Sequence, residues 1–195
     1  MWLYVDDKLD RLDIEAALLA VSPQRREHAM RYSRETDRRQ SLAVYLLLCR
    51  ALNERFGITE PPVLYYDDRG KPAVDGRPDV HISLSHCKAA VAVAVGLQPV
   101  GVDVESLITP DVDLLRHTMS EAECSTILKD ATQFTRLWTM KESFLKLTGE
   151  GLTDDLPNVL ARAADIRFST TVHPHYVVTS ATYKDVNTRG KKSET

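Results

Sequence analysis

Between residues 37 and 56 the apolar side chains Leu42, Tyr45, Leu46, Cys49, Leu52 and Phe56 recur at spacings of three and four. That period puts them on one face of a long helix, with Asp37 as its N-cap and Gly57 as its stop. A helix with such a face has to lie against an apolar surface. The chain offers strands for this purpose directly downstream. Residues 80–84 alternate apolar and polar, as a half-buried strand does, and residues 89–97 form a continuous, β-branched-rich run that reads as a buried strand. Gln98-Pro99 breaks that run before a further strand at 100–105.

The remaining elements alternate in the same way. A helix is expected over about 11–20, another starts at Ser22-Pro23, and a strand at 63–66 precedes the turn Asp67-Asp68-Arg69-Gly70. Ser120 and Glu123 form a capping box, a long helix follows over 132–147, and strands at 165–169 and 176–183 close the chain. The polar tail 184–195 is expected to be disordered. The class is α+β, with a midpoint near Pro99.

The 195 residues suffice for one domain or two small halves, and 43% are apolar, which argues against wholesale disorder. No apolar run approaches the ~20 residues of a membrane span. The first residues lack the basic start and apolar stretch of a secretory leader. Three widely spaced cysteines suit a reducing cytosol better than a disulfide scaffold or a zinc site. The formal net charge of −3 excludes a globally basic nucleic-acid binder. The charge is unevenly spread, however. Over 22–50 seven arginines face three carboxylates, whereas over 101–123 six carboxylates face Arg116 alone. Either these are two solvated helix faces, or the fold holds one anion-binding and one cation-binding region.

Three clusters could carry chemistry. In Gly101-Val102-Asp103-Val104-Glu105 the two carboxylates share one face of a strand and repel one another unless a cation or water intervenes. An exposed edge strand and a divalent-metal site both fit. In Trp138-Thr139-Met140-Lys141-Glu142-Ser143-Phe144-Leu145-Lys146, Glu142 and Lys146 could be an ordinary i,i+4 pair. Alternatively Glu142 completes an oxygen cage with Asp103 and Glu105, of the kind Mg²⁺ shares with phosphate oxygens and water. His81-Ile82-Ser83-Leu84-Ser85-His86-Cys87 ends a strand, where His86 and Ser85 could meet a phosphate. A His86–Cys87 nucleophilic dyad is disfavoured, because strand neighbours face opposite sides. The basic turn Arg69-Gly70-Lys71-Pro72 is ambiguous alone.

In order, Arg-Gly-Lys-Pro, Ile-Ser-Leu-Ser-His, Gly-Val-Asp-Val-Glu and Trp-x-x-Lys-Glu-Ser-x-x-Lys resemble the signature of Sfp-type 4′-phosphopantetheinyl transferases over about 22–152. The departures are Cys87 after the histidine, where small residues are usual, and a short chain. The resemblance implies a pseudo-twofold arrangement of two similar α+β halves with the active site in the cleft between them, 1–100 being the basic, coenzyme A side and 101–183 the metal side. It implies transfer of the phosphopantetheine arm of coenzyme A to a serine of an apo acyl or peptidyl carrier protein, releasing adenosine 3′,5′-bisphosphate.

Asp103, Glu105 and Glu142 would hold Mg²⁺, with Mn²⁺ as a substitute. Glu142, Lys146 and His86 would be the catalytic groups, with Glu142 or a water on the ion taking the serine proton. Arg25, His28, Ser41, Arg69, Lys71, Ser85, His86, Lys141 and Lys146 would bind coenzyme A. The expected protein is a cytoplasmic monomer that binds neither nucleic acid nor membrane. The alternatives are another Mg²⁺-dependent nucleotide phosphotransferase or phosphodiesterase, and a catalytically silent carrier-binding module. Charge neutralisation and positioning are what phosphoryl transfer asks of a protein, and the acidic and basic regions suit those tasks.

Overall fold

A computed structural model describes residues 1–130, 132–151, 153 and 155–184. Two three-stranded antiparallel sheets, each backed by one long helix, make up the fold. The first sheet is ordered β1 (Trp2–Asp6), β5 (Val91–Gly96), β4 (His81–His86). It is covered by α3 (Glu35–Phe56), with α1 (Ile14–Ala20) and α2 (Pro23–Met30) outside. The second sheet is ordered β6 (Val100–Ser106), β8 (Tyr176–Tyr183), β7 (Ile166–Val172), and α6 (Thr132–Thr148) lies across it. A small hairpin, β2 (Leu64–Tyr66) with β3 (Pro72–Val74), flanks the first unit, and α4 (Val112–Thr118) and α5 (Glu121–Ile127) precede α6.

Local chemistry explains the element ends. Ser22 accepts from the Arg25 amide at the start of α2, with Pro23 in the first turn. Ser120 and Glu123 form the reciprocal capping box of α5. α3 ends at Gly57, at φ 66°. Its start differs from expectation. Arg34, not Asp37, is the N-cap, and Glu35 and Asp37 lie in the first turn, where carboxylates favour the positive end of the helix dipole. The buried face of α3 is also wider than its three-four pattern, adding Val44, Leu47, Leu48 and Ala51, because the helix is packed by sheet on one side and by α1 and α2 on another. The first helix starts at Ile14, capped by Asp13, with Leu9–Arg11 as a separate short 3₁₀ turn. The last strand has its expected bounds, the other expected elements shift by no more than three residues, and β1, β3 and α4 are additional to those expected; Lys184, expected in the tail, donates through its amide to the carbonyl of Asp165 at 2.8 Å. The rest of the expected tail lies outside the described residues.

β5 shows how the two units meet. Val91, Val93 and Val95 pack towards α3, while Ala92 and Ala94 face the opposite way, towards Val100, Val102 and Val104 of β6. The small alanines let the second sheet approach closely. β4 and β6 are the facing edges of their sheets, and edge strands carry unpaired amides that must find partners. Here β4 side chains supply them: Val102 N donates to Ser83 Oγ at 3.0 Å and Val104 N to Ser85 Oγ at 3.2 Å. Serine hydroxyls thus join the two sheets without a backbone ladder between them. The carboxylate pair of β6 is held at this seam, and the exposed-edge reading of it does not apply: Asp103 is 5% exposed and Glu105 half-buried.

Candidate active site

Asp103 lies at the centre of the seam. Its Oδ1 accepts from Ser85 Oγ at 2.7 Å and from Lys146 Nζ at 2.5 Å. The ammonium also reaches Ser85 Oγ at 3.0 Å. Asp103 Oδ2 is buried and has no hydrogen-bond partner, and the same holds for Glu142 Oε1. Buried acceptors without partners are uncommon, and these two are free to accept from a water or to bind a cation. Glu105 Oε1 accepts from the Ser106 amide at 2.8 Å.

Burial pushes the carboxyls of Glu142 and Glu105 above their usual range. For Glu142 the charges of Asp103 and Glu105 add to the push and Lys146 opposes it; for Glu105 Asp103 adds, while the Ser106 amide and Lys146 oppose. The three carboxylates therefore share one field. Among the described residues, no three carboxylate, imidazole or thiol groups are already gathered around a metal position. The seam offers instead two open carboxylate oxygens with one ammonium between the strands and the helix.

Close packing of α6 on β6 sets this meeting. Gly101 faces the α6 backbone, so that a Cβ on it would stand 1.9 Å from the Ser143 carbonyl and 2.7 Å from the Leu147 amide. One turn separates Glu142 from Lys146. Lys146 nonetheless pairs with Asp103 of β6 rather than with Glu142. On the same helix Thr139 Oγ1 meets Thr179 Oγ1 of β8 at 2.8 Å, holding α6 to the sheet through a hydroxyl contact.

The basic turn projects into the same cleft. Asp67 Oδ1 accepts from the amides of Arg69 (2.9 Å) and Lys71 (2.8 Å), and Gly70 takes the left-handed conformation the turn requires, at φ 82°. Arg69, Lys71, Ile82, Leu84, Glu142 and Lys146 are among the residues lining one cavity of about 370 Å³. Lys71 Nζ donates to the Leu147 carbonyl at the C-terminal end of α6, at 2.7 Å, which ties the β2–β3 hairpin to the second unit. Burial lowers the Lys71 ammonium from its usual value.

A second cavity, of about 430 Å³, is lined by Arg25, His28, Arg31, Tyr45 and Tyr66 among others. Arg25 is 8% exposed and donates through Nε (3.2 Å) and Nη2 to the Ser41 carbonyl, above the ring of Tyr45. The Ser41 hydroxyl is buried without a partner. His86 ends β4, where the charges of both Lys146 and Arg25 reach it. Desolvation, then the positive charges of Lys146 and Arg25, depress its imidazole below the ordinary histidine value. Cys87 is buried while the His86 ring is accessible, as expected of strand neighbours, so no dyad forms.

One expected ligand-binding residue is in the wrong place. Lys141 is fully buried, and its Nζ donates to Glu123 Oε2 (2.8 Å) and to the carbonyls of Thr118 (2.8 Å), Leu156 (2.9 Å) and Pro157 (3.1 Å). With four acceptors inside the second unit, it has no donor left for a phosphate. It stands one residue before Glu142, and adjacent helix positions point about 100° apart. Ser83 and Gly101 were not singled out for the roles they have here. The alternation Ser83-Leu84-Ser85 carried a signal, since it puts two hydroxyls on one strand face.

Known proteins are similar to this chain in sequence. The profile of the 4′-phosphopantetheinyl transferase superfamily matches residues 99–190. The psf-1 4′-phosphopantetheinyl transferase of Bacillus pumilus is 31% identical over 167 residues, covering 83% of this chain and 72% of that one. The Sfp enzyme of Bacillus subtilis (strain 168) is 28% identical over 166 residues, covering 82% and 74%. The gsp transferase of Aneurinibacillus migulanus is 28% identical over 158 residues, covering 78% and 66%. The region matched by the profile contains the Asp103–Glu105 strand and the Glu142–Lys146 helix, and the chain belongs to the 4′-phosphopantetheinyl transferase superfamily.

Proposed function

We propose that the protein moves the 4′-phosphopantetheine arm of coenzyme A onto a serine hydroxyl of an apo acyl or peptidyl carrier protein and releases adenosine 3′,5′-bisphosphate. The observation that carries this reading is the pair of buried, unpartnered oxygens, Asp103 Oδ2 and Glu142 Oε1, beside the ammonium of Lys146 in a cleft lined with basic groups. All-oxygen, anionic donors fit a hard divalent cation, and Asp103, Glu105 and Glu142 would hold it. Bound there, Mg²⁺ would neutralise pyrophosphate charge and orient the group being transferred.

The other roles fall to the chain itself. Lys146 and His86 would meet the phosphate oxygens, and Ser85 touches the ammonium through its hydroxyl. Arg69 and Lys71 supply positive charge for the 3′-phosphate end, with Arg25, His28 and Ser41 as the second basic group. The raised carboxyl of Glu142 makes it a suitable acceptor for the serine proton. The two sheet-and-helix units, 1–100 and 101–183, are read as the coenzyme A side and the metal side. The odd number and wide spacing of the cysteines support a cytoplasmic protein, taken as a monomer without nucleic-acid or membrane partners.

The test is incubation with coenzyme A, Mg²⁺ and apo carrier proteins of fatty-acid, polyketide and peptide synthesis, followed by intact mass measurement. One phosphopantetheine group should be added to at least one carrier, and chelation with EDTA should stop it. Unmodified carriers in all three classes would overturn the reading, and breakdown of coenzyme A without carrier modification would favour a phosphodiesterase.

A further inference from the structure

Both acceptor directions of Asp103 Oδ1 are filled, one by the Ser85 hydroxyl at 2.7 Å and one by the Lys146 ammonium at 2.5 Å. The other oxygen, Oδ2, is open, as is Glu142 Oε1 one helical turn before Lys146. Three carboxylates share the seam with this ammonium, which is the only cation paired to them among the described residues. A divalent ion on Oδ2 would lie within a few ångströms of the ammonium on Oδ1 of the same carboxylate, and the two positive charges repel. Lysine can yield, because its charge is compact and rides on a flexible four-carbon stem. The Lys146 side chain is 31% exposed, so the stem has an open side to turn into.

We propose that Lys146 is the resident counter-ion of the carboxylate cluster, and that a divalent cation exchanges with it. As the ion binds Asp103, the ammonium leaves Oδ1 and becomes free to pair with an anionic oxygen entering the cleft. The exchange rests on the metal reading given above and adds a coupling to it. Metal binding converts a lysine engaged by aspartate into a lysine available to phosphate, so ion and pyrophosphate favour each other's binding. Ser85 guides the movement, because its hydroxyl touches both Lys146 Nζ and Asp103 Oδ1. No bond is made or broken and no proton need move.

The experiment uses Mn²⁺ and the full chain without coenzyme A. Mn²⁺ affinity is measured by electron paramagnetic resonance for the wild type and for Lys146→Met, which keeps the stem and removes the charge. In parallel, acetylation of Lys146 in the wild type by acetic anhydride is followed by peptide mass analysis with and without Mn²⁺, using exposed Lys8 as internal reference. The variant should bind Mn²⁺ at least about tenfold more tightly, and wild-type Lys146 should become several-fold more reactive when Mn²⁺ saturates the site. Both changes are required. Tighter binding with unchanged reactivity means a general charge effect and overturns the exchange, as does increased reactivity at equal affinity. Equal affinity with unchanged reactivity leaves the metal reading intact and removes the exchange alone, whereas no Mn²⁺ uptake by either protein removes both. Should Lys146→Met fail to fold, Lys146→Gln takes its place in the affinity measurement.

Discussion

Gly101 on β6 and Ser143 on α6 approach so closely that a Cβ on the glycine would stand 1.9 Å from the serine carbonyl oxygen. No side-chain adjustment relieves that overlap, because the atom it meets is backbone. Gly101→Ala should therefore push α6 away from β6 and carry Glu142 and Lys146 off Asp103. Overpacking of a core contact costs about 1–3 kcal/mol, and geometric loss at the site should lower transfer by two orders of magnitude or more. Chemical denaturation and a carrier-loading assay on the same preparation check both figures.

Glu142→Gln should separate stability from activity. Burial and the neighbouring carboxylates raise the Glu142 carboxyl, so its ionised form is unfavourable in the folded metal-free protein. The neutral amide avoids that penalty. Transfer should be lost while the thermal midpoint stays equal or rises by a few degrees, about the scale of 1 kcal/mol for a domain of this size. Differential scanning fluorimetry in EDTA beside the loading assay tests this.

Lys141→Met should behave in the opposite manner. Removing one member of a buried pair leaves Glu123 uncompensated and strips three carbonyls of their donor. Such losses typically cost about 3–5 kcal/mol, read as a lower denaturant midpoint. Adding Glu123→Gln should restore part of it. At temperatures where the variant remains folded, KM for coenzyme A should be unchanged, which a phosphate contact would not allow.

Arg69→Ala and Lys71→Ala should each weaken coenzyme A more than dephospho-coenzyme A. A charge-assisted bond contributes about 1.5–3 kcal/mol, corresponding to about tenfold or more in KM. Steady-state kinetics with both substrates measures the difference, and equal losses would move the 3′-phosphate contact elsewhere.

The His86 ring offers a pH test. Desolvation and the charges of Lys146 and Arg25 lower its folded value, so the unfolded chain takes up a proton first as pH falls. Stability contributed by the neutral ring is fully present above the unfolded value near 6.5 and is lost as pH falls through the folded value. Ring-proton NMR should show a midpoint below 6.5, moving upward in Lys146→Met. An unmoved midpoint would mean that Lys146 does not act on the ring.

Much of the fold could be read along the chain. The three-four period of α3, the apolar run of β5 and the capping box of α5 are local patterns, and local patterns survive without knowledge of partners. The placement of Asp103 and Glu105 on one strand face follows from the twofold period of a strand. Helix starts were less legible, as Arg34 in place of Asp37 shows, since several polar residues near a helix start compete for the cap.

Sequence alone thus determined most of the elements, though not β1, β3 or α4, and which side chains share a face, because those depend on neighbours a few residues away. It could not decide what each face meets. Lys141 and Lys146 lie on the same helix and carry the same charge. One is enclosed by Glu123 and three carbonyls, and the other reaches Asp103 across the seam. That division depends on contacts spanning 18 and 43 positions of chain, on the Gly101–Ser143 approach, and on β4 serines completing the amides of β6. Only the packing of two sheets against two helices brings those groups within hydrogen-bond distance.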